Sequence, residues 1–277
     1  MKRIFAILLF SFVISWSAQA QQKDTLRILA IGNSFSQDSV EQYLWELFNA
    51  EGIPVIIGNM YIGGCSLERH FQNTITGVDD YSYRKVVNGE KKTRKFTTLQ
   101  FALADEPWDY VSFQQASGVS GEYETYEPYL QGLRAFVRRR VAATTIFMWH
   151  QTWAYSADAT HKEFPRYGKD QLKMYQAIVK TSQTVMKNYK FPIIIPSGTA
   201  IQNARNSSMG DVFNRDGYHL QKTYGRYTAA CTWFEAISGR SVVGNSYYPA
   251  KISKETADIC QKAAHNACKH PYKITKK

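Results

Sequence analysis

Short, almost wholly apolar runs alternate along this chain with stretches whose apolar positions recur every three or four residues, the pattern of strands and helices laid down in turn. Leu26 to Ile31, Pro54 to Tyr61, Trp108 to Gln115, Thr144 to His150 and Phe191 to Pro196 read as strands. Strands apolar on both faces belong in a parallel sheet covered by helices on either side. Ser39 with Gln42 predicts the N-cap of a helix that presents Val40, Tyr43, Leu44, Leu47 and Phe48 and ends at Gly52 and Pro54. Helices are also predicted through His70, from Thr98, over 123–141, from about Lys169 to Tyr189, around Tyr224 to Phe234 and near Ser253 to Lys269. The expected class is α/β, a five-stranded, mostly parallel sheet with helices on both faces.

One segment breaks the rhythm. Val86 and Val87 precede Asn88-Gly89, a strong two-residue hairpin signal, so a small β-hairpin insertion is expected over about 81–97. Arg84, Lys85, Lys91, Lys92, Arg94 and Lys95 make it the most basic part of the chain. Such a run is either a solvated face or a binding surface.

The first twenty residues read as a secretory leader: Lys2 and Arg3, an apolar run from Ile4 to Ile14, then Ala18-Gln19-Ala20. Cleavage is expected after Ala20, giving an exported, periplasmic or secreted protein with no integral membrane association. Residues 21–277 carry no low-complexity linker or repeat and read as a single domain. Across the whole chain, 34 Lys and Arg stand against 23 Asp and Glu, a formal balance of +11. That favours anionic surfaces or acidic polysaccharides; nucleic acid is not expected as a partner, because export removes it and no recognition motif appears. The cysteines Cys65, Cys231, Cys260 and Cys268 show no paired metal-ligand spacing. Cys260 and Cys268 share one helix, about 12 Å apart along its axis, too far for a disulfide.

Candidate chemistry collects at strand ends, where ligands bind in sheets of this kind. The first strand stops at Gly32-Asn33-Ser34, which presents one hydroxyl at the rim. The second runs into Gly63-Gly64, where the backbone can approach a ligand and aim an N–H at it. Far downstream, Asp216 and His219 place a carboxylate and an imidazole three residues apart. A serine hydroxyl needs a base to take its proton, and a histidine held by a carboxylate titrates in the useful range. Gln114 and Gln115 end the third strand, where a buried amide must be hydrogen-bonded or face a site. Trp149, His150, Trp153 and Tyr155 follow the fourth strand and suit a sugar-binding platform, with a structural role the alternative for His150. No histidine cluster forms a convincing ligand set, and the chemistry needs neither metal nor cofactor.

These blocks resemble those of the SGNH hydrolases, the GDSL-like superfamily of esterases, lipases and acetylhydrolases. Gly32-Asn33-Ser34 is similar to the first block with Asn in place of Asp, and Asp216-Gly217-Tyr218-His219 to the final Asp-x-x-His. The pattern looks closest to a branch with Gly-Asn-Ser-Phe and Trp-Asp-Tyr-Val-x-x-Gln-Gln segments and largely unassigned substrates. The resemblance implies a three-layer, flavodoxin-like fold with strand order 2-1-3-4-5. It also implies Ser34 as nucleophile, His219 as base, Asp216 as its orienting carboxylate, and an oxyanion hole from the Ser34 and Gly64 N–H groups plus an Asn. Where that Asn is usual the chain reads Gln115-Ala116-Ser117-Gly118, and the donor role passes to Gln115, with Gln114 as rival. The expected function is removal of short O-acyl groups, acetyl above all, from a small ester or an acylated glycan, neutral or acidic. The alternatives are a non-catalytic carbohydrate-binding protein and a thioesterase, lipase-like or phosphoester hydrolase on the same fold.

Overall fold

The computed structural model describes residues 25–275, so the expected leader and the cleavage expected after Ala20 lie outside the described residues. Strand β1 (Leu26–Gly32) leads into helices α1 (Ser34–Val40) and α2 (Leu44–Ala50), β2 (Val55–Tyr61) and α3 (Leu67–Thr76). The hairpin follows as β3 (Tyr81–Val87) and β4 (Glu90–Thr97), then α4 (Leu99–Asp105), β5 (Tyr110–Phe113) and α5 (Tyr129–Arg138). Strand β6 (Ile146–His150), α6 (Gln171–Tyr189), β7 (Ile193–Ile195), α7 (Ser197–Arg205), α8 (Tyr224–Ser238) and α9 (Lys254–Lys269) complete the order.

The sheet runs β4-β3-β2-β1-β5-β6-β7. Its parallel part, β2-β1-β5-β6-β7, has the expected order, and β1 sits between β2 and β5. The strand count corrects the expectation: seven, because β3 pairs antiparallel with β2 and the hairpin extends the sheet at its edge. Along β1, Ile28 and Ala30 enter one apolar core, under α1, α2, α8 and α9. Leu29 and Ile31 enter the other, under α3, α4 and α5. That two-residue alternation is the strand period, and burying each Leu or Ile side chain contributes about 1.5–3 kcal/mol.

Hairpin cations stitch it to the body. The Glu41 carboxylate, 2% exposed, takes Arg84 and Lys91 at 3.0 Å each and the Asn59 amide at 2.8 Å. Lys85 binds Asp105 and Glu106. A carboxylate as buried as Glu41 is tolerable only with such partners.

Two helix boundaries differ from the pattern reading. Helix α1 begins at Ser34 because the Asn33 side chain caps it, accepting from the Phe35 N–H at 2.9 Å. Ser39 lies inside that helix and donates to the Phe35 carbonyl. The helix then breaks, and α2 restarts after Tyr43 at φ 69°. The segment expected as helix over 123–141 is a short 3-10 turn followed by α5, since Pro128 has no N–H for a helix to run through. All four cysteines are free thiols, and Cys260 and Cys268 share the one helix α9. Among the described residues no helix is long and apolar enough to cross a membrane.

Candidate active site

The rim around Ser34 is built by close approach. At Gly32 a Cβ would lie 2.7 Å from both the Gln114 Oε1 and the Ser36 Oγ, so only glycine lets the strand end pack there. Asn33 is buried and fully engaged. Its Nδ2 donates to the Cys65 carbonyl at 2.9 Å, and its Oδ1 accepts from the Phe35 N–H and from the Gln114 Nε2 at 2.8 Å. An ionised Asp has no proton to give Cys65, which is the physical reason for Asn in this block. Ser34 is thereby set at the N-terminus of α1, half-buried. After β2 the chain turns through Gly63 and Gly64, the latter at φ +62° with open space where a side chain would stand.

The Asp216 to His219 segment folds back on itself. Asp216 Oδ1 accepts the His219 N–H at 2.8 Å and the Tyr218 N–H at 3.3 Å, leaving Oδ2 for His219 Nδ1 at 2.7 Å. Burial alone would raise the Asp216 carboxyl, but these bonds and the neighbouring imidazole outweigh it and hold the group below its ordinary value. With Nδ1–H given to the carboxylate, Nε2 is the basic nitrogen. Trp153 secures the segment from beneath, donating to the Tyr218 carbonyl at 2.7 Å and stacking on Phe35 at 4.1 Å.

Ser34 and His219 line one cavity of about 510 Å³, together with Gly63, Gly64, Ser117 and Tyr218. Three segments far apart in sequence thus meet there: the end of β1, the turn after β2 and the 216–219 loop. A serine hydroxyl, an imidazole bonded to a carboxylate and a glycine turn with exposed backbone are the kinds of group that acyl transfer uses.

The profile of the family described as DUF4886, a domain of unknown function, matches residues 27–267. The chain belongs to the DUF4886 family. A crystal structure of a DUF4886 family protein from Bacteroides uniformis is similar to it at 54% identity with a TM-score of 0.90, over 91% of this chain and 98% of that one. Two solved structures are far more distant. An acetylxylan esterase from Geobacillus stearothermophilus is 10% identical with a TM-score of 0.48, over 82% of this chain and 97% of that one. TesA is 12% identical with a TM-score of 0.47, over 77% and 96%. A search of curated proteins finds no match.

In this DUF4886 chain the glutamines and the aromatic platform require correction. Gln115 is turned into the fold: its Oε1 accepts from the Leu67 and Ala116 N–H groups, and its Nε2 donates to Thr125. All its capacity is spent tying α3 to the loop after β5, so it is no oxyanion donor. Gln114 is engaged too, between Asn33 and His150. His150 is wholly buried, its Nδ1 on Gln114 Oε1 at 2.9 Å and its Nε2 on Ser197 at 3.0 Å. Burial pushes it down to about 3. Trp149, Trp153 and Tyr155 are each at most 1% exposed. No sugar can reach them; their bulk fills the core beneath the rim.

What sequence reasoning missed is the far wall, from the loop after β6. His161 and Lys162 line the cavity, with Tyr61 at the end of β2. The His161 ring meets Tyr218 at 4.6 Å and its Nδ1 accepts the Glu163 N–H, so its proton sits on Nε2. Burial pulls His161 below its ordinary value, and Lys162 and His219 add to the effect against Glu163 and Asp216. An irregular loop has no periodicity to mark which side chains turn inward. No sequence signal could have found these residues.

Proposed function

We propose that this chain is an exported serine ester hydrolase that removes short O-acyl groups, acetyl above all, from carbohydrate. The observation that carries the reading is that His219, bonded to Asp216 at 2.7 Å, lines the same cavity as Ser34. In this mechanism Ser34 Oγ attacks the acyl carbonyl while His219 Nε2 takes its proton. Asp216 stabilises the imidazolium and holds its orientation. Negative charge forming on the carbonyl oxygen meets the N–H groups of Ser34 and Gly64, and the Ser117 hydroxyl supplies the third donor in place of Gln115. The imidazolium then protonates the leaving alcohol. Water, deprotonated by His219, cleaves the acyl-enzyme and releases the acid.

The substrate class rests on the walls. Tyr61 and Tyr218 line the cavity beside polar groups, which suits a sugar, and nothing in the lining forms a long apolar groove for a lipid chain. Preference for an acidic glycan is supported by Lys162 on the cavity wall. Hairpin cations Arg84, Lys85, Lys91 and Lys92 are already paired with carboxylates, and Arg166 on the cavity wall is held by Glu122 and Glu163. Among the described residues Lys162 makes no ion pair.

A fluorophosphonate probe should label Ser34, and purified protein should cleave acetyl esters faster than butyryl and octanoyl ones. Absence of labelling would overturn the catalytic reading. A rise in kcat/KM with chain length would replace the carbohydrate with a lipid.

A further inference from the structure

Resting on that catalytic reading, we infer that Asp38 is a positioning residue that locks the base-bearing loop onto the nucleophile-bearing helix, with Arg215 as the bridge between Asp38 and Asp216. Asp38 is four residues after Ser34, one turn along the same face of α1. Its side chain is 0% exposed. A carboxylate that deep on a seven-residue helix must be there for its partners, and two of them, Arg215 and Leu220, belong to the loop that carries His219. Oδ2 accepts the Leu220 N–H at 2.8 Å, the residue next to His219, and takes Arg215 NH1 at 3.0 Å. Oδ1 meets Arg226 NH2 of α8 at 2.6 Å.

Arg215 reaches both carboxylates. While its NH1 holds Asp38, its Nε lies 3.8 Å from Asp216 Oδ2, the oxygen that also receives His219 Nδ1. Its backbone N–H donates to the His219 carbonyl at 2.9 Å. Asp38, Arg215, Arg226 and Asp216 carry charges that sum to zero, so no member is left uncompensated. Ser34 and His219 lie 185 positions apart in sequence, and Asp38 supplies a direct hydrogen-bonded link between their elements. In acyl transfer a displacement of about 1 Å between nucleophile and base can cost about a hundredfold in rate.

The test compares Asp38→Asn and Arg215→Gln with the wild type in full-length protein. The charged and titratable groups facing His219 are Asp216, Arg215 and Tyr218 on its own loop and His161, Lys162, Glu163 and Arg166 across the cavity, with Asp38 and Arg226 behind. Removing the Asp38 charge frees Arg215 to compete for Asp216. The imidazolium then loses support, so the acid limb of the pH–rate profile moves to lower pH. Arg215→Gln removes the competitor, and the limb moves to higher pH. Both variants should lose about ten- to a hundredfold in kcat with KM within about twofold.

The His219 imidazole resonance, titrated by NMR, should shift in the same opposite directions with no substrate present. Folded variants with an unmoved His219 titration would overturn the inference, even if the wild type hydrolyses no ester. Failure of the catalytic reading looks different: the wild type and Ser34→Ala would be equally inactive while the titration shifts persist. If Asp38→Asn does not fold, Arg215→Gln, whose side chain is 27% exposed, carries the test alone.

Discussion

Two histidines near the sheet rim have nearly the same hydrogen-bond diagram and opposite circumstances. His219 has Asp216 on Nδ1 at 2.7 Å; His150 has Gln114 on Nδ1 at 2.9 Å and even a serine, Ser197, on Nε2 at 3.0 Å. Judged by connectivity alone, the buried chain is the more complete triad. Yet its orienting group is a neutral amide, which cannot stabilise an imidazolium, and His150 is 0% exposed. The side chain of His219 is 17% exposed and backed by an ionised carboxylate. A catalytic base needs a charge that favours its protonated form and an open side for substrate, and both depend on surroundings that connectivity does not record.

The largest effects should therefore fall on the exposed set. Ser34→Ala and His219→Ala are each expected to lower kcat/KM at least about 10⁴-fold with folding intact by circular dichroism. Ser197→Ala, by contrast, should keep kcat within about threefold. If Ser197→Ala abolished turnover while Ser34→Ala did not, the two histidines would have been read the wrong way round. Asp216→Asn should cost about 10² to 10⁴ in kcat, measured by ester hydrolysis, because an amide can no longer hold the imidazolium.

Stability should respond in the reverse pattern. Gln115→Ala is expected to cost about 2 to 4 kcal/mol in urea unfolding, since Leu67 N–H loses its buried acceptor, while kcat of the folded protein changes less than about tenfold. Acid should expose the buried imidazoles. Burial holds His150 and His70 down to about 3 in the folded protein, against about 6.5 in an unfolded chain. Between those values the unfolded state binds more protons, so stability is complete above about pH 6.5 and falls as pH drops through the window. Each histidine contributes about 1.4 kcal/mol per pH unit there. A Tm series from pH 7 to pH 4 checks this; a flat series would place both rings in wetter surroundings. The smallest effect is reserved for Lys162→Ala: KM for anionic esters should rise about three- to tenfold, an increment erased by salt, and KM for neutral esters should not move.

The parallel strands themselves, the hairpin at 81–97 and the candidate residues Ser34, Gly64, Asp216 and His219 were legible from local pattern, whereas the strand order was implied only by the resemblance to a known family. An apolar run, an Asn-Gly turn, a strand stopping at Gly-Asn-Ser and a four-residue Asp-x-x-His need no distant partner to be recognised. Gln115 and the Trp149 to Tyr155 stretch were read the wrong way for the opposite reason. A polar or aromatic residue at a strand end can turn outward to the rim or downward into the core. The choice between them is made by what the neighbouring elements leave unfilled or unsatisfied.

Within residues 25–275 the sequence by itself determined most of the strands and helices and which side chains are candidates for the chemistry. Only the tertiary structure decided that Asn33 must be an amide, that His150 is inert, that His161 and Lys162 face the cavity, and that Asp38 joins α1 to the 216–219 loop. The physical reason is range. Periodicity and turn propensity act over a few residues, whereas burial, desolvation and hydrogen-bond satisfaction are set by groups brought together from across the chain.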